Sequence, residues 1–282
     1  MCNGSNWIYD SVAEMWKDFL SPESIQTIKK GMYYTELLQP GLRLIALNTA
    51  ILWPWNFACL KTIDDPGDQF AWVRGVLSKA KENGEKVFLI THVPPGRGEL
   101  TQGVQMSIKY NDAYADAFTG FYDIIVASFF GHVHADSFRI MSDASSESLG
   151  FLQGGMTPHG ENPTMGFWSY KSEWPFTLMD RQTFGFNLTQ ANEIGQIKWE
   201  ELYRYTEAYG VKDMSVESIK DLVERMKKDD NKMFDKWYSL LVPMMMDQMP
   251  TCKTIECKQY HMCVLQNVRV RDLERCLPAS SQ

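Results

Sequence analysis

Short continuous apolar runs alternate with apolar stripes at helical spacing through the first half of the chain. The runs have the length of buried strands, and they are residues 42–48, 86–91 and 123–130. The stripes predict helices over residues 6–20, from Asp65 onward, and over residues 107–120. The order strand, helix, strand, helix, strand predicts a layered α/β fold with partly parallel strands.

The pattern changes twice further along the chain. Residues 136–187 are shorter apolar segments separated by turn residues, and residues 154–163 are rich in glycine and proline, which predicts a loop. From Ile197 onward, apolar residues recur at helical spacing again. We therefore predict an α/β domain followed by a helical domain, over residues 1–190 and 191–282.

Composition narrows the class of protein. The chain has 282 residues, of which 44% are hydrophobic and nine are tryptophan, and this is enough apolar material for a sizeable core. A formal net charge of −7 argues against a nucleic-acid duplex as partner, because phosphate backbones attract basic surfaces. No apolar run reaches the roughly eighteen residues of a membrane-spanning helix, so we expect no transmembrane segment.

The six cysteines point to an oxidising compartment. Four of them crowd the carboxyl-terminal end, as expected for a disulfide-stabilised tail or for a zinc cluster with His261: Cys252, Cys257, Cys263 and Cys276. The absence of paired Cys-x2-Cys steps favours disulfides. Asn3 and Asn187 each begin a glycosylation sequon, so we expect a secreted or lysosomal glycoprotein. The first residues do not resemble a signal peptide, and we expect the natural start upstream of Met1.

Three histidines stand where the buried strands are predicted to end. His92 follows residues 86–91, and His132 and His134 follow residues 123–130 across one glycine. Ligand sites in open α/β sheets form outside the carboxyl ends of strands, and neutral imidazole is a common zinc ligand. In a straight strand His132 and His134 share a face, whereas in a turn they can reach two neighbouring metals. We predict these three residues as metal ligands, against the alternative of hydrogen-bonded surface histidines.

The sequence around these histidines resembles a known family. Thr91-His92-Val93-Pro94-Pro95-Gly96 and Gly131-His132-Val133-His134 are similar to the last two motif blocks of the calcineurin-like metallophosphoesterases. Residues 65–72, 129–139 and 187–192 resemble the acid sphingomyelinase-like phosphodiesterase 3 branch, as does the cysteine-rich tail. The resemblance extends over essentially the whole chain and matches the carboxyl-terminal part of that family. It implies a partial α/β/β/α sandwich followed by a small helical domain stapled by disulfides.

This resemblance implies a phosphodiesterase with two zinc ions. His134 matches a ligand of one zinc ion, and His92 and His132 match ligands of the other. The family's Asp-x-His block, its bridging-aspartate block and its Gly-Asn-His block, which carries the acid histidine, have no counterpart here. We therefore expect no catalytic acid in this chain, an incomplete zinc ligand set, and no activity of the chain by itself.

The resemblance also assigns the remaining candidates. It implies two disulfide pairs, Cys252–Cys257 and Cys263–Cys276. It leaves Cys2 and Cys59 either free or paired with residues missing from this chain. His159 belongs to the glycine- and proline-rich loop, which we expect near the site, and there it contacts substrate or stays solvated. Family substrates are sphingolipids or nucleotide phosphoesters, and nothing in the sequence separates the two. The alternative function is a secreted, non-catalytic protein that acts through surface contacts.

Overall fold

A six-stranded mixed sheet lies at the centre of the computed structural model, which describes residues 6–57, 63–158, 160–228, 232–243 and 251–277. Its strands are β1 (Tyr34–Gln39), β2 (Leu42–Ala46), β3 (Lys86–Ile90), β4 (Ile125–Phe130), β5 (Ser137–Ser142) and β6 (Glu147–Leu152). They are arranged in the order β1-β2-β3-β4-β6-β5. β2, β3, β4 and β6 run parallel, and the antiparallel β1 and β5 form the two edges.

Two helices, α3 (Gln69–Glu82) and α4 (Ile108–Phe118), cover one face of this sheet. Their apolar sides share one core with the sheet, built from Val73, Leu77, Tyr114, Phe118, Val87 and Leu89. The helix begins at Gln69, four residues after the start predicted at Asp65. Asp65 accepts from the backbone N–H groups of Phe70 and Ala71 at 2.8 and 2.9 Å, across a 3-10 turn that precedes the helix. Two further helices, α1 (Trp7–Trp16) and α2 (Pro22–Gly31), precede β1.

A second sheet packs against the opposite face. It is antiparallel and consists of β7 (Thr164–Tyr170), β8 (Leu178–Gly185) and β9 (Glu200–Arg204). The Trp168 ring lies 4.8 Å from that of Phe129, centroid to centroid, and joins the two sheets. The helices after β8 are α5 (Leu188–Ile194), α6 (Tyr205–Tyr209), α7 (Val216–Lys228) and α8 (Lys232–Leu240), and side chains of α6, α7 and α8 complete the core on this side. The mixed α/β architecture is therefore as predicted.

Residues 197–204 differ from their predicted helical structure. Residues 200–204 form β9, which pairs antiparallel with β8, so that Tyr203 lies opposite Thr183. The Tyr203 hydroxyl contacts the carboxylate of Asp136, which also holds the guanidinium of Arg181. This buried polar network stabilises an extended backbone at Tyr203, although the spacing of the neighbouring apolar residues is typical of a helix.

The carboxyl-terminal region contains α9 (Ile255–Gln266) and α10 (Val270–Cys276). Disulfides join Cys252 to Cys257 and Cys263 to Cys276, with Cα–Cα distances of 5.5 and 5.7 Å. This pairing is the one that the resemblance implied, and it excludes the alternative of a four-cysteine zinc cluster in the oxidised protein. Cys2, Cys59, Asn3 and His159 lie outside the described residues. Within the described ranges, every helix is too short or too polar to cross a membrane.

Candidate metal centre

His92 lies in the loop that follows β3, and its backbone is tied to two neighbouring segments. The N–H groups of His92 and Val93 both donate to the hydroxyl of the buried Thr49, at 3.0 and 2.7 Å. The carbonyl of His92 accepts from the N–H of Gly131, at 3.0 Å. Gly131 begins the turn after β4, so these bonds join the loops at the ends of two neighbouring parallel strands. A single side-chain hydroxyl thereby fixes where the His92 imidazole emerges from the sheet.

His132 and His134 lie in a tight turn rather than in an extended strand. Their φ angles are 70° and 55°, in the left-handed region that residues with a Cβ rarely adopt. The N–H of Val133 donates to the carbonyl of Gly131 at 2.8 Å, which closes the turn between them. Backbone strain of this kind persists where the surrounding structure imposes it, and it concentrates at functional sites.

The turn sends the two imidazoles to different neighbours. The His132 ring lies 5.2 Å from the His92 ring, centroid to centroid, at an interplanar angle of 77°. His134 instead contacts the carboxylate of Glu161 through Nδ1. Its ring also lies against Gly155, where a Cβ would come within 2.9 Å of Nδ1. The structure therefore groups the three predicted ligands as a His92–His132 pair and a His134–Glu161 pair.

The electrostatics of the site favour neutral imidazole. Burial, reinforced by repulsion from His92 and His134, lowers the pKa of His132 to about 4. Loss of hydration also lowers the pKa of His92, with a further contribution from repulsion by His134, although His92 as a whole residue is exposed. A neutral imidazole has a lone pair available for a metal ion near neutral pH.

Two residues of the site have no signal in the sequence. Glu161 comes from the glycine- and proline-rich loop, and its side chain is only 13% exposed. Trp53 follows a 3-10 turn, Thr49–Leu52, and its ring lies edge-on to that of His132 at a centroid distance of 5.4 Å. Glu161 and Trp53 reach the histidines only after the chain has folded, because their partners are distant in sequence. No local motif could therefore predict that they belong to the site.

A buried arginine supports the loop that carries His92. Arg139, on β5, is fully buried and donates to the carbonyls of Pro95 and Arg97, the latter at 2.6 Å, and to Glu99 at 3.2 Å. Gly96 passes beside it with a φ of 90°, where a Cβ would lie 2.9 Å from the guanidinium. Within the Thr91–Gly96 motif, Gly96 therefore lets the chain pass close to Arg139, independently of any role of His92 in metal binding.

The strand-end residues form one pair of histidines and one histidine–carboxylate pair, and they do not complete a metal ligand set. A closer group of potential metal ligands lies elsewhere in the described part of the chain. The ligand atoms of Cys252, Cys257 and His261 lie within 4.8 Å of one another, and this group does not include the strand-end histidines. Imidazole and carboxylate are nevertheless the donors that zinc accepts in catalytic sites. The residues present therefore fit zinc in kind: His92 and His132 offer two donors, and His134, whose Nδ1 contacts Glu161, offers a third through Nε2.

Comparison with known proteins identifies the relatives of the chain. Residues 149–282 match the family model described as the acid sphingomyelin phosphodiesterase C-terminal region. The human acid sphingomyelinase-like phosphodiesterase 3b is 34% identical over 98% of this chain and 63% of its own length. The mouse cyclic GMP-AMP phosphodiesterase SMPDL3A is 33% identical over 96% of this chain and 62% of its own length. Bovine sphingomyelin phosphodiesterase is 33% identical over 83% of this chain and 38% of that protein.

A solved dimetal phosphatase from Danio rerio overlaps 55% of this chain and 57% of its own, with 12% identity and a TM-score of 0.36. The sequence relatives are much closer. These relatives are named as phosphodiesterases of cyclic GMP-AMP and of sphingomyelin. More specifically, the chain is a homologue of the acid sphingomyelinase-like phosphodiesterases, which confirms the predicted resemblance, and it spans about three-fifths of the length of the first relatives above.

Proposed function

We propose that this chain carries part of a dinuclear zinc site that hydrolyses phosphodiesters. The observation that supports this most strongly is the pairing of His92 with His132, 5.2 Å apart at the ends of neighbouring parallel strands. Strand ends of this kind are where α/β sheets bind their ligands. The homology to phosphodiesterases gives the pairing its chemical meaning.

The His134–Glu161 contact supports His134 as a ligand of the second zinc ion. A carboxylate bound to Nδ1 fixes the tautomer and orientation of the ring and leaves Nε2 for the metal. Ligating histidines in zinc enzymes commonly have such a partner. Glu161 is thus proposed as a positioning residue, and Trp53 as the side chain that limits rotation of the His132 ring.

Zinc bound at this edge would polarise a phosphate oxygen and make water a better nucleophile. The residues of this chain contribute orientation and neutral donors. One proposed zinc ion receives two protein donors, from His92 and His132, and the other receives one, from His134, whereas catalytic zinc sites commonly have three. We therefore propose that the chain by itself binds zinc weakly and is catalytically silent. The substrate class is a phosphodiester, in a sphingolipid or in a nucleotide, as the names of the two groups of relatives indicate.

The test measures zinc binding and turnover separately. Isothermal titration with Zn²⁺ should detect binding that weakens at least tenfold in His132→Asn, while Glu193→Gln, at an exposed position, should leave it unchanged. Hydrolysis of bis(p-nitrophenyl) phosphate should remain at background. Robust zinc-dependent turnover would refute the proposal that the chain is inactive. Equal zinc affinity in His132→Asn and wild type would refute the assignment of His132 as a ligand.

The shortage of donors favours a second candidate, which is a secreted protein without catalytic activity. It predicts that the same titration detects no zinc at the strand ends. Both candidates place the chain in the secretory pathway, and the two disulfides support that placement. Asn187 is exposed, as a glycosylated residue must be. When the protein is expressed in a secreting cell, treatment with a glycosidase should lower its mass. In Asn187→Gln the mass loss should be smaller if Asn3 is also glycosylated, and absent if Asn187 is the only glycosylated residue.

The predicted division into an α/β domain over residues 1–190 and a helical domain over residues 191–282 also remains a proposal. The disulfide-bonded helices α9 and α10 support a distinct carboxyl-terminal unit. The pairing of β9 with β8 ties the two parts together across the predicted boundary. Limited proteolysis near residue 190, followed by separation of the fragments under native conditions, tests the division.

A further inference from the structure

One histidine of this chain has no part in the proposed phosphodiesterase chemistry. His261 lies on α9, one helical turn after Cys257, so the two side chains share a face of the helix. Cys252 precedes α9 and is held against Cys257 by their disulfide. The two sulfur atoms and a ring nitrogen of His261 all lie within 4.8 Å of one another.

The imidazole of His261 is enclosed and lacks a hydrogen-bond partner at one nitrogen. The residue is 3% exposed, and its Nδ1 is buried without a partner. Aromatic rings surround it at centroid distances of 5.3 to 6.2 Å, from Phe234, Trp237, Tyr238 and Tyr260. A buried, unpaired polar atom is costly, and the great majority of such atoms have a partner. The ring is also held neutral, because burial lowers the pKa of His261 to about 4.

Two thiolates and a neutral imidazole are a donor set for soft and borderline cations. Zinc–sulfur bonds of about 2.3 Å and zinc–nitrogen bonds of about 2.0 Å place donors in a tetrahedral site roughly 3.5 Å apart. The two sulfurs and the His261 nitrogen already lie within 4.8 Å of one another. Once reduction separates the sulfurs, small side-chain rotations would bring the three atoms to the spacing of a tetrahedral zinc site. The second disulfide, Cys263–Cys276, has no such histidine among the described residues within the same distance.

We propose that reduction of the Cys252–Cys257 disulfide creates a metal site in which Cys252, Cys257 and His261 bind a zinc-like divalent cation. A thiol or phosphine reductant supplies two electrons, the S–S bond breaks, and each sulfur takes up one proton. Binding of the cation then releases both protons, and water occupies the fourth position. In the oxidised protein the disulfide prevents binding. The region therefore exchanges a covalent crosslink for a metal crosslink when the redox environment changes.

The experiment uses the full chain with Cys2→Ser and Cys59→Ser, so that sulfur donors come only from the carboxyl-terminal region. The protein is reduced with a phosphine and titrated with Co²⁺ as a spectroscopic substitute for zinc. Thiolate-to-cobalt charge transfer reports sulfur ligation, which the strand-end histidines cannot produce. We expect the charge-transfer band to saturate at one equivalent of sulfur-ligated Co²⁺ per reduced chain, and we expect no band in the oxidised chain. His261→Phe, chosen because aromatic rings surround this position, should weaken this binding at least tenfold.

The Cys263→Ala/Cys276→Ala variant is the matched control, and it should retain the band. Protection from alkylation is a second measurement that does not depend on the stability of any variant. In the reduced chain, Zn²⁺ should slow alkylation of Cys252 and Cys257 at least tenfold and leave Cys263 and Cys276 unprotected. A band that persists in His261→Phe at unchanged affinity, or protection centred on Cys263 and Cys276, would overturn the proposal.

Discussion

The strand-end site and the region around His261 place histidines in opposite physical settings. His92 and His132 emerge from loops at the end of a parallel sheet and are fixed by backbone hydrogen bonds, with His92 exposed and His132 half-buried. His261 lies on a helix, enclosed by aromatic rings and two sulfurs. Loops at strand ends bring together residues distant in sequence, while a helix brings together residues four apart. The first arrangement suits an open catalytic centre, and the second suits a closed structural site.

The two regions are also held by different forces, and this can be tested. Buried polar contacts position the strand-end loops, with Arg139 at their centre. Disulfides position the carboxyl-terminal helices. Substitution of Arg139 should therefore act on folding and on metal affinity together, whereas removal of a disulfide should act mainly on the stability of the carboxyl-terminal region.

The largest effect is expected for Arg139→Met. Glu99 would be left buried without its partner, and the loop after His92 would lose three hydrogen bonds. Breaking one side of a buried ion pair typically costs about 3–5 kcal/mol of unfolding free energy. Urea unfolding measures this, and Arg271→Met, at a position 69% exposed, should change stability by less than about 0.5 kcal/mol. A loss similar to that control would mean that other contacts hold the loop.

Removing the disulfides should cost less. Loop-closure entropy predicts a loss of about 3 kcal/mol for Cys263→Ala/Cys276→Ala, whose loop spans 13 residues. The same relation predicts about 2 kcal/mol for Cys252→Ala/Cys257→Ala, whose loop spans 5 residues. Thermal unfolding of the two double variants gives the order directly, and the reverse order would show that loop length does not control stability here.

The next effect concerns Glu161 and rests on the proposed zinc site. Glu161→Gln weakens the contact that orients His134, and loss of such outer partners commonly lowers metal affinity by about 10–100-fold. Zinc titration should show this decrease with unchanged urea unfolding. Glu193→Gln, on the exposed side of α5, is the control. Equal affinity in both variants would remove Glu161 from the site.

The smallest effect is expected at the other end of the sheet, in the turn between β5 and β6. Burial alone would raise the pKa of Asp143, but hydrogen bonds from the N–H groups of Gly120, Ser145 and Ser146 lower it to about 2. A lowered pKa stabilises the fold above the ordinary value near 4, and this contribution disappears as pH falls from about 4 to about 2. Asp143→Asn should therefore cost about 1–2 kcal/mol at pH 6 and almost nothing near pH 2.

The stability difference between wild type and Asp143→Asn, measured by urea unfolding from pH 6 downward, checks this sign. Asp18→Asn, at an exposed position, controls for the loss of one charge. A difference that stays constant across this range would show that the Asp143 carboxylate has no special role in the turn.

The sequence predicted those strands and helices that are stabilised by burying a continuous or periodic apolar face. Apolar runs located β2, β3 and β4, and helical stripes located α3 and α4, because each buries a continuous or periodic face in one core. β9 was missed because Tyr203 reaches a buried network formed with Asp136, and that network is visible only after folding. Glu161 was missed for the same reason, since its partner His134 is distant in sequence.

The pairing of β9 with β8 has a practical consequence for dividing this protein. A fragment that begins at residue 191 would carry β9 as an isolated strand, and the complementary fragment would expose the edge of β8. The matched family region begins at residue 149, inside β6, and would split that strand instead. Borders drawn from sequence similarity and borders drawn from folding therefore do not coincide in this chain. A fragment that keeps the second sheet whole must extend to Arg204, and one that keeps the core of that sheet must also include α6, α7 and α8.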